Sequence, residues 1–259
     1  MIDNIKVMEI EAQGFLDEKK YDEALKLFSE AAGSYQDLGQ HQQAAMCFAL
    51  AAGCYESKAG SQSLYYYAST YYSKAAKEAE ISGDYEYASM MYKHAGICYE
   101  RDLEFVGFSE CFYLSKECYR KSLISNLFNR KHASHKIPIL QRIDLKDVVK
   151  SVILWVSLSI SSLLWGHGER PLRTIGSGCL LVLFSALFYA QGHFMAGGDV
   201  HKPNLLESLY FSVVTITHIG YGDIIPLGFD RGIAVLEEFA GIFILPLFLT
   251  SLCRKYLRF

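Results

Sequence analysis

Thr215-Ile216-Thr217-His218-Ile219-Gly220-Tyr221-Gly222-Asp223 lies between two apolar segments near the C-terminus. Two glycines in it bracket one tyrosine. Glycine takes positive φ without a Cβ clash. Gly220 and Gly222 therefore let the backbone turn its carbonyls in ways that a run of residues with side chains does not. By itself Gly-Tyr-Gly is an ordinary turn. Placed after a Thr-rich apolar segment and before a longer one, it is irregular backbone held between apolar elements, and its context carries the reading.

The chain has 259 residues, 51% of them apolar, and a formal charge of −3. That length suits one large domain or two ordinary ones. Residues 1–146 are rich in Ala, Tyr, Glu and Lys, whereas residues 147–259 hold both tryptophans and most of the Leu, Ile and Val runs. A soluble half followed by a membrane half explains the split. Met1-Ile2-Asp3-Asn4-Ile5-Lys6 has no basic region leading into an apolar run, so no secretory signal is expected. The cysteines are Cys47, Cys54, Cys98, Cys111, Cys118, Cys179 and Cys253, with no CxxC pair. Cys47/Cys54 and Cys111/Cys118 each share a helix face, two turns apart and too far for a disulfide. They read as small buried apolar residues in a reducing compartment, not as a zinc site. His41 and His94 lack partners at ligand or triad spacing, and no Gly-rich phosphate loop occurs. Neither an enzyme nor a cofactor is indicated.

The N-terminal half repeats. From Tyr21, His41, Tyr65 and Tyr85, a step of three residues reaches Ala24, Ala44, Ala68 and Ala88. Seven on stand Phe28, Phe48, Tyr72 and Tyr92, ten on Ala31, Ala51, Ala75 and Ala95, and fourteen on Tyr35, Tyr55, Ala79 and Tyr99. These offsets mark one helix face. Alanine lets helices approach and the neighbour's aromatic fills the gap. Turn residues at Gly39-Gln40, Gly60-Ser61 and Ser82-Gly83-Asp84 separate the helices, with Ser61 and Asp84 as expected N-caps. A first helix is expected over 4–19 and a last over 104–127. Ala51-Ala52-Gly53-Cys54-Tyr55 and Ala95-Gly96-Ile97-Cys98-Tyr99 resemble tetratricopeptide-type arrays, the soluble NSF attachment protein variety above all. That resemblance implies an α-α solenoid over 1–127 and is silent on function, although a protein or peptide ligand fits such arrays. The surplus tyrosines Tyr65, Tyr66, Tyr67, Tyr71 and Tyr72 read as core and wet helix edges ahead of a binding groove.

Residues 128–173 read as a basic linker and an interfacial helix. Asn129-Arg130-Lys131-His132-Ala133-Ser134-His135-Lys136, then Arg142, Lys146 and Lys150, suit an anionic membrane face better than a nucleic acid. Val152–Trp165 contains Ser157, Ser159, Ser161 and Ser162 and is short for a span. Val149, Val152, Val156, Ile160 and Leu163 fall opposite Lys150, Ser157, Ser161 and Ser162, as in an in-plane amphipathic helix over 148–165.

Residues 174–259 read as a pore module with an outer helix over 175–191, a short helix over 204–216 opened by Pro203, and an inner helix over 230–257. Thr217 through Asp223 closely resembles the selectivity filter of potassium channels of the prokaryotic two-transmembrane type. In that family backbone carbonyls replace an ion's water shell. The resemblance implies K+ binding by the carbonyls of His218, Ile219, Gly220, Tyr221 and Gly222, with Thr217 and Asp223 supporting them. Tyr221 points outward, and the short helix aims its negative end at the ion. Family filters read Thr-Thr-Val-Gly-Tyr-Gly; His218 stands where the second Thr offers its hydroxyl, which puts strict selectivity in question. Four imidazoles facing the cavity would lower conductance in acid. Gly241 and Pro246 are the expected hinge, with close helix packing as the alternative for Gly241. Glu237 and Glu238 face the cavity, the back of the filter, or the outer interface.

The expected protein is therefore all-α, a helical-repeat solenoid joined to a transmembrane pore domain with a re-entrant pore helix. Its expected function is a homotetrameric, potassium-selective channel in the cell membrane, multi-pass, with the repeats and the C-terminus cytoplasmic. A membrane-anchored adaptor and a weakly selective cation channel are the alternatives.

Overall fold

A computed structural model describes residues 2–58, 63–133 and 145–256. The fold is all-α apart from one small sheet. The chain divides into two compact units, Met1–Ile160 and Ser161–Phe259.

The first unit holds α1 (Ile2–Asp17), α2 (Tyr21–Asp37), α3 (His41–Ser57), α4 (Ser63–Ile81), α5 (Tyr85–Arg101) and α6 (Phe105–Ala133). Each packs chiefly on the next in sequence. The predicted offsets are the buried ones: Ala24, Ala44, Ala68 and Ala88, and Ala31, Ala51, Ala75 and Ala95, have no exposure, with Phe28, Phe48, Tyr72 and Tyr92 buried between them. Alternate helices are tied by polar contacts. Cys47 donates to Glu9 at 3.0 Å, Gln36 to Glu78 at 2.6 Å, Arg101 to Glu56 at 3.1 Å, and Lys121 to Glu80 at 2.9 Å. A helical-repeat stack is thus fixed both by its apolar faces and by bonds that skip one helix.

Four turns among the described residues share one design. Lys19, Gly39, Gly83 and Leu103 take positive φ, and the next residue donates its N–H to a carbonyl five back. The pairs are Lys20 to Phe15, Gln40 to Tyr35, Asp84 to Ala79 and Glu104 to Tyr99, at 2.8–2.9 Å. This is the 6→1 bond of a Schellman ending. Two turns use glycine, as the sequence suggests, and two force a side-chain-bearing residue into that region. Asp84 caps α5 by accepting from the Tyr87 N–H at 3.0 Å; Ser61 lies outside the described residues. α6 continues past the expected end at Leu127 to Ala133; residues 134–144 of the basic linker lie outside the described residues.

α7 (Leu145–Trp165) is a 21-residue helix, longer than expected. Lys146, Asp147 and Lys150 are helical, so the charged residues extend the apolar run instead of ending it. Lys146–Gly168, at 23 residues, is long and apolar enough to cross a membrane, which corrects the reading of this segment as short.

The second unit is built on α8 (Pro171–Tyr189), α9 (Leu205–Ile216) and α10 (Asp230–Tyr256). Pro171–Tyr189 and Asp230–Lys255 are also of membrane-crossing length and composition. α8 begins earlier than expected because Pro171 sits at its first turn, where the missing N–H costs nothing. Strands β1 (Phe194–Ala196), β2 (Asp199–His201) and β3 (Ile224–Pro226) form an antiparallel sheet in the order β2-β1-β3, with Met195 opposite both Val200 and Ile225. The segment leaving the Gly-Tyr-Gly stretch is therefore paired to the hairpin that precedes α9. Tyr189, Phe194 and Phe211 form the core beneath, with Ile224, Ile233 and Ala234 against it.

Candidate functional site

α9 is fixed at both ends. Its start is a capping box: Asn204 Oδ1 accepts from the Glu207 N–H at 2.9 Å, and the Glu207 carboxylate accepts from the Asn204 N–H at 3.0 Å. Pro203 therefore precedes the cap and does not open the helix, a correction to the expected start. Its end is closed by Thr217, His218 and Ile219. The Thr217 hydroxyl donates to Val213 O at 2.6 Å, the His218 N–H to Thr215 O at 3.1 Å, and the Ile219 N–H to Val214 O at 3.1 Å.

Beyond that end the backbone alternates. His218, Gly220 and Gly222 have φ of 59°, 55° and 73°, while Ile219 and Tyr221 between them do not take positive φ. Alternating hands turns successive peptide planes the same way, which a run of one hand does not. The two glycines do this without strain. His218 does it with a Cβ, at a cost of about 1–2 kcal/mol.

The stretch is braced from α9. The Tyr210 hydroxyl donates to Asp223 Oδ2 at 2.8 Å, and the Tyr210 and Tyr221 rings lie parallel, 3° apart in plane with centroids at 6.5 Å. Asp223 is thus tied to α9 through Tyr210. Tyr221 stays 67% exposed and Ile219 53%.

α10 passes close behind. A Cβ on Gly241 would stand 2.3 Å from Ile216 O and 2.9 Å from the His218 ring. Gly241 is thus where α10 touches the C-terminal end of α9, and the His218 imidazole rests at the same point. α10 runs unbroken through Gly241 and Pro246, and the Thr250 hydroxyl donates to the Pro246 carbonyl. The two glutamates separate. Glu238 is exposed, whereas Glu237 is 2% exposed and accepts from the Tyr189 hydroxyl at 2.8 Å and from the Ser212 hydroxyl.

Sequence reasoning misses Tyr210, Tyr189 and Ser212. Ser208 and Ser212, one turn apart on an apolar helix, were the available signal: two serines on one face of such a helix need partners. It also misses Glu169, 1% exposed between α7 and α8, which pairs with Arg254 at the end of α10 at 2.8 Å.

No curated protein and no solved structure gives a significant match to the chain. Residues 177–258, which cover most of α8 and all of α9 and α10, match a protein-family model described as an ion channel, and this part of the chain is similar to a channel domain of the two-transmembrane type.

Proposed function

We propose that the chain is a potassium-selective channel whose filter is His218–Gly222, supported by Thr217 and Asp223. The observation that carries this is the alternation of positive φ at His218, Gly220 and Gly222 directly after α9, within a segment similar to ion channels. Such a backbone suits a file of carbonyl ligands for a dehydrated cation. One chain supplies one wall of the pore, so four assemble around it. The exposed faces of Ile219 and Tyr221 suit contact with neighbouring copies. K+ is the permeant ligand, with no other cofactor.

A filter entered from outside makes α8 run outward and α10 return. The repeats then lie in the cytosol if α7 lies in the interface. That placing agrees with the free, buried cysteines of the repeats and with Arg254 and Lys255 at the end of α10. The repeats serve assembly, gating input or the binding of a protein partner, and a splay of α10 near Gly241 and Pro246 opens the gate. A weakly selective cation channel is the second reading. It is favoured by His218, which replaces a hydroxyl ligand with a ring resting on α10.

Reconstituted into liposomes, the protein should pass K+ in preference to Na+ and be blocked by barium. No flux across several lipids and pH values would favour a membrane-anchored adaptor. Equal K+ and Na+ flux, with K+ preference restored by His218→Thr, would favour the second reading.

A further inference from the structure

Most large side chains of α10 face outward: Val235, Leu236 and Phe239 are 65%, 71% and 59% exposed. Glu237 lies among them and is buried. A carboxylate inside a membrane-length apolar unit is costly to keep, and an apolar residue of the same size would fill its place more cheaply. What the carboxylate supplies is direction. Oε2 takes the hydroxyl of Tyr189 on α8 and Oε1 takes the hydroxyl of Ser212 on α9. Tyr189 and Ser212 have no exposure, and the Ser212 hydroxyl also reaches Val182 O on α8 at 3.1 Å. One side chain thus joins all three helices of the unit.

The next turn shows what is being aligned. Gly241 is four residues beyond Glu237 on α10, and Ile216 is four beyond Ser212 on α9. The two helices meet at two rungs, a hydrogen bond at Glu237–Ser212 and bare backbone contact at Gly241–Ile216. The second rung is the last turn before the filter. Packing alone tolerates rotation of α9 about its axis. A carboxylate fastened to hydroxyls on two helices does not.

We propose that Glu237 is a positioning residue for ion selection: by fastening α9 to α8 and α10 it sets the height and angle at which Thr217–Gly222 meets the pore axis. This rests on the channel reading above. Displacements well under an ångström matter where ligands must replace a hydration shell.

The test uses the full chain in lipid, reading the K+/Na+ permeability ratio from reversal potentials together with the assembly state in detergent. In Glu237→Gln the amide oxygen can accept from Tyr189 and the amide N–H can donate to Ser212 Oγ, whose proton goes to Val182 O. This variant should keep the wild-type ratio within about twofold. Glu237→Leu and Ser212→Ala should assemble normally and lose about fivefold in the ratio, the scale of one net hydrogen bond. An assembled Leu variant with the wild-type ratio would overturn the proposal. If Glu237→Leu fails to assemble, Ser212→Ala, which removes one hydroxyl, decides in the same measurement. A wild-type chain that carries no current overturns the channel reading itself, and this role with it.

Discussion

Gly241 shows how much a single missing carbon decides here. The Ile216 carbonyl occupies the space a Cβ would need, and a carbonyl oxygen at the end of a helix has no rotamer by which to give way. Gly241→Ala should therefore cost about 2 kcal/mol by overpacking. Gly232, on the same helix with open space around it, should instead gain from alanine by about 0.5–1 kcal/mol. Thermal melts of the purified protein should move in opposite directions for the two variants, and an unshifted melt for Gly241→Ala would contradict the contact. Gly220 and Gly222 are legible in the sequence because a backbone demand for positive φ is written as glycine. Glu237 is legible only as a costly residue. Its meaning depends on hydroxyls at Tyr189 and Ser212, which come together through tertiary packing. His218 is the reverse case: its departure from the potassium-channel filter that the stretch resembles is plain, but the left-handed backbone beneath it is not.

Among the elements, the repeat helices are the most legible, because four offsets recur at near-constant spacing; those of three, seven and ten fall on buried positions, and that of fourteen on buried or partly buried ones. Their turns are half legible: Gly39 and Gly83 mark two of them, while Lys19 and Leu103 adopt the same geometry without a sequence cue. α7 is the least legible. Its charged first turn disguises its length, and length alone now permits it to cross a membrane. Its outward apolar residues Val149, Val152, Val156, Ile160 and Leu163 recur along one side, with Lys150 near its start. An in-plane orientation can be measured directly because both tryptophans of the chain, Trp155 and Trp165, lie on this helix. Ten residues of helix separate them by about 15 Å along the axis. Quenching by lipids brominated at graded depths should place both indoles at one depth. A depth difference approaching that axial separation would mean that α7 crosses, and would move the repeats to the other side of the membrane.

At the scale of the whole molecule, the cysteines divide as the two units do. Cys47, Cys54, Cys98, Cys111 and Cys118 are buried in the repeats, and Cys179 and Cys253 are exposed on α8 and α10. Burial pushes the thiols of Cys54 and Cys111 up to about 11 and, ahead of the charge of Glu56 or Glu80, those of Cys98 and Cys118 up to about 12. The thiolate is the reactive form. At pH 8 a group at about 11 presents on the order of one thiolate in a thousand. A water-soluble thiol reagent at pH 8 should therefore modify no more than two of the seven cysteines in the native protein and all seven after denaturation. Raising the pH should speed the repeat-domain thiols about tenfold per unit, levelling off only as it nears 11. Fast labelling of a third cysteine at pH 8 would mean that the repeats open. The two halves also differ in what composition reveals. The apolar half announces its solvent, whereas the partner of a helical-repeat surface is written in no local motif.

The ion pair between Glu169 and Arg254 has a mechanical meaning. It fastens the last turn of α10 to the elbow that α7 enters and α8 leaves, and Glu169 is shut away from water while it does so. The lower end of α10 is therefore not a free tip. A rotation that carries it outward must either drag the elbow along or pull a guanidinium off a carboxylate that has little water to replace it. The elbow is in that sense a handle on the far end of α10, and a torque applied at Glu169 reaches that end without passing through residues 217–223.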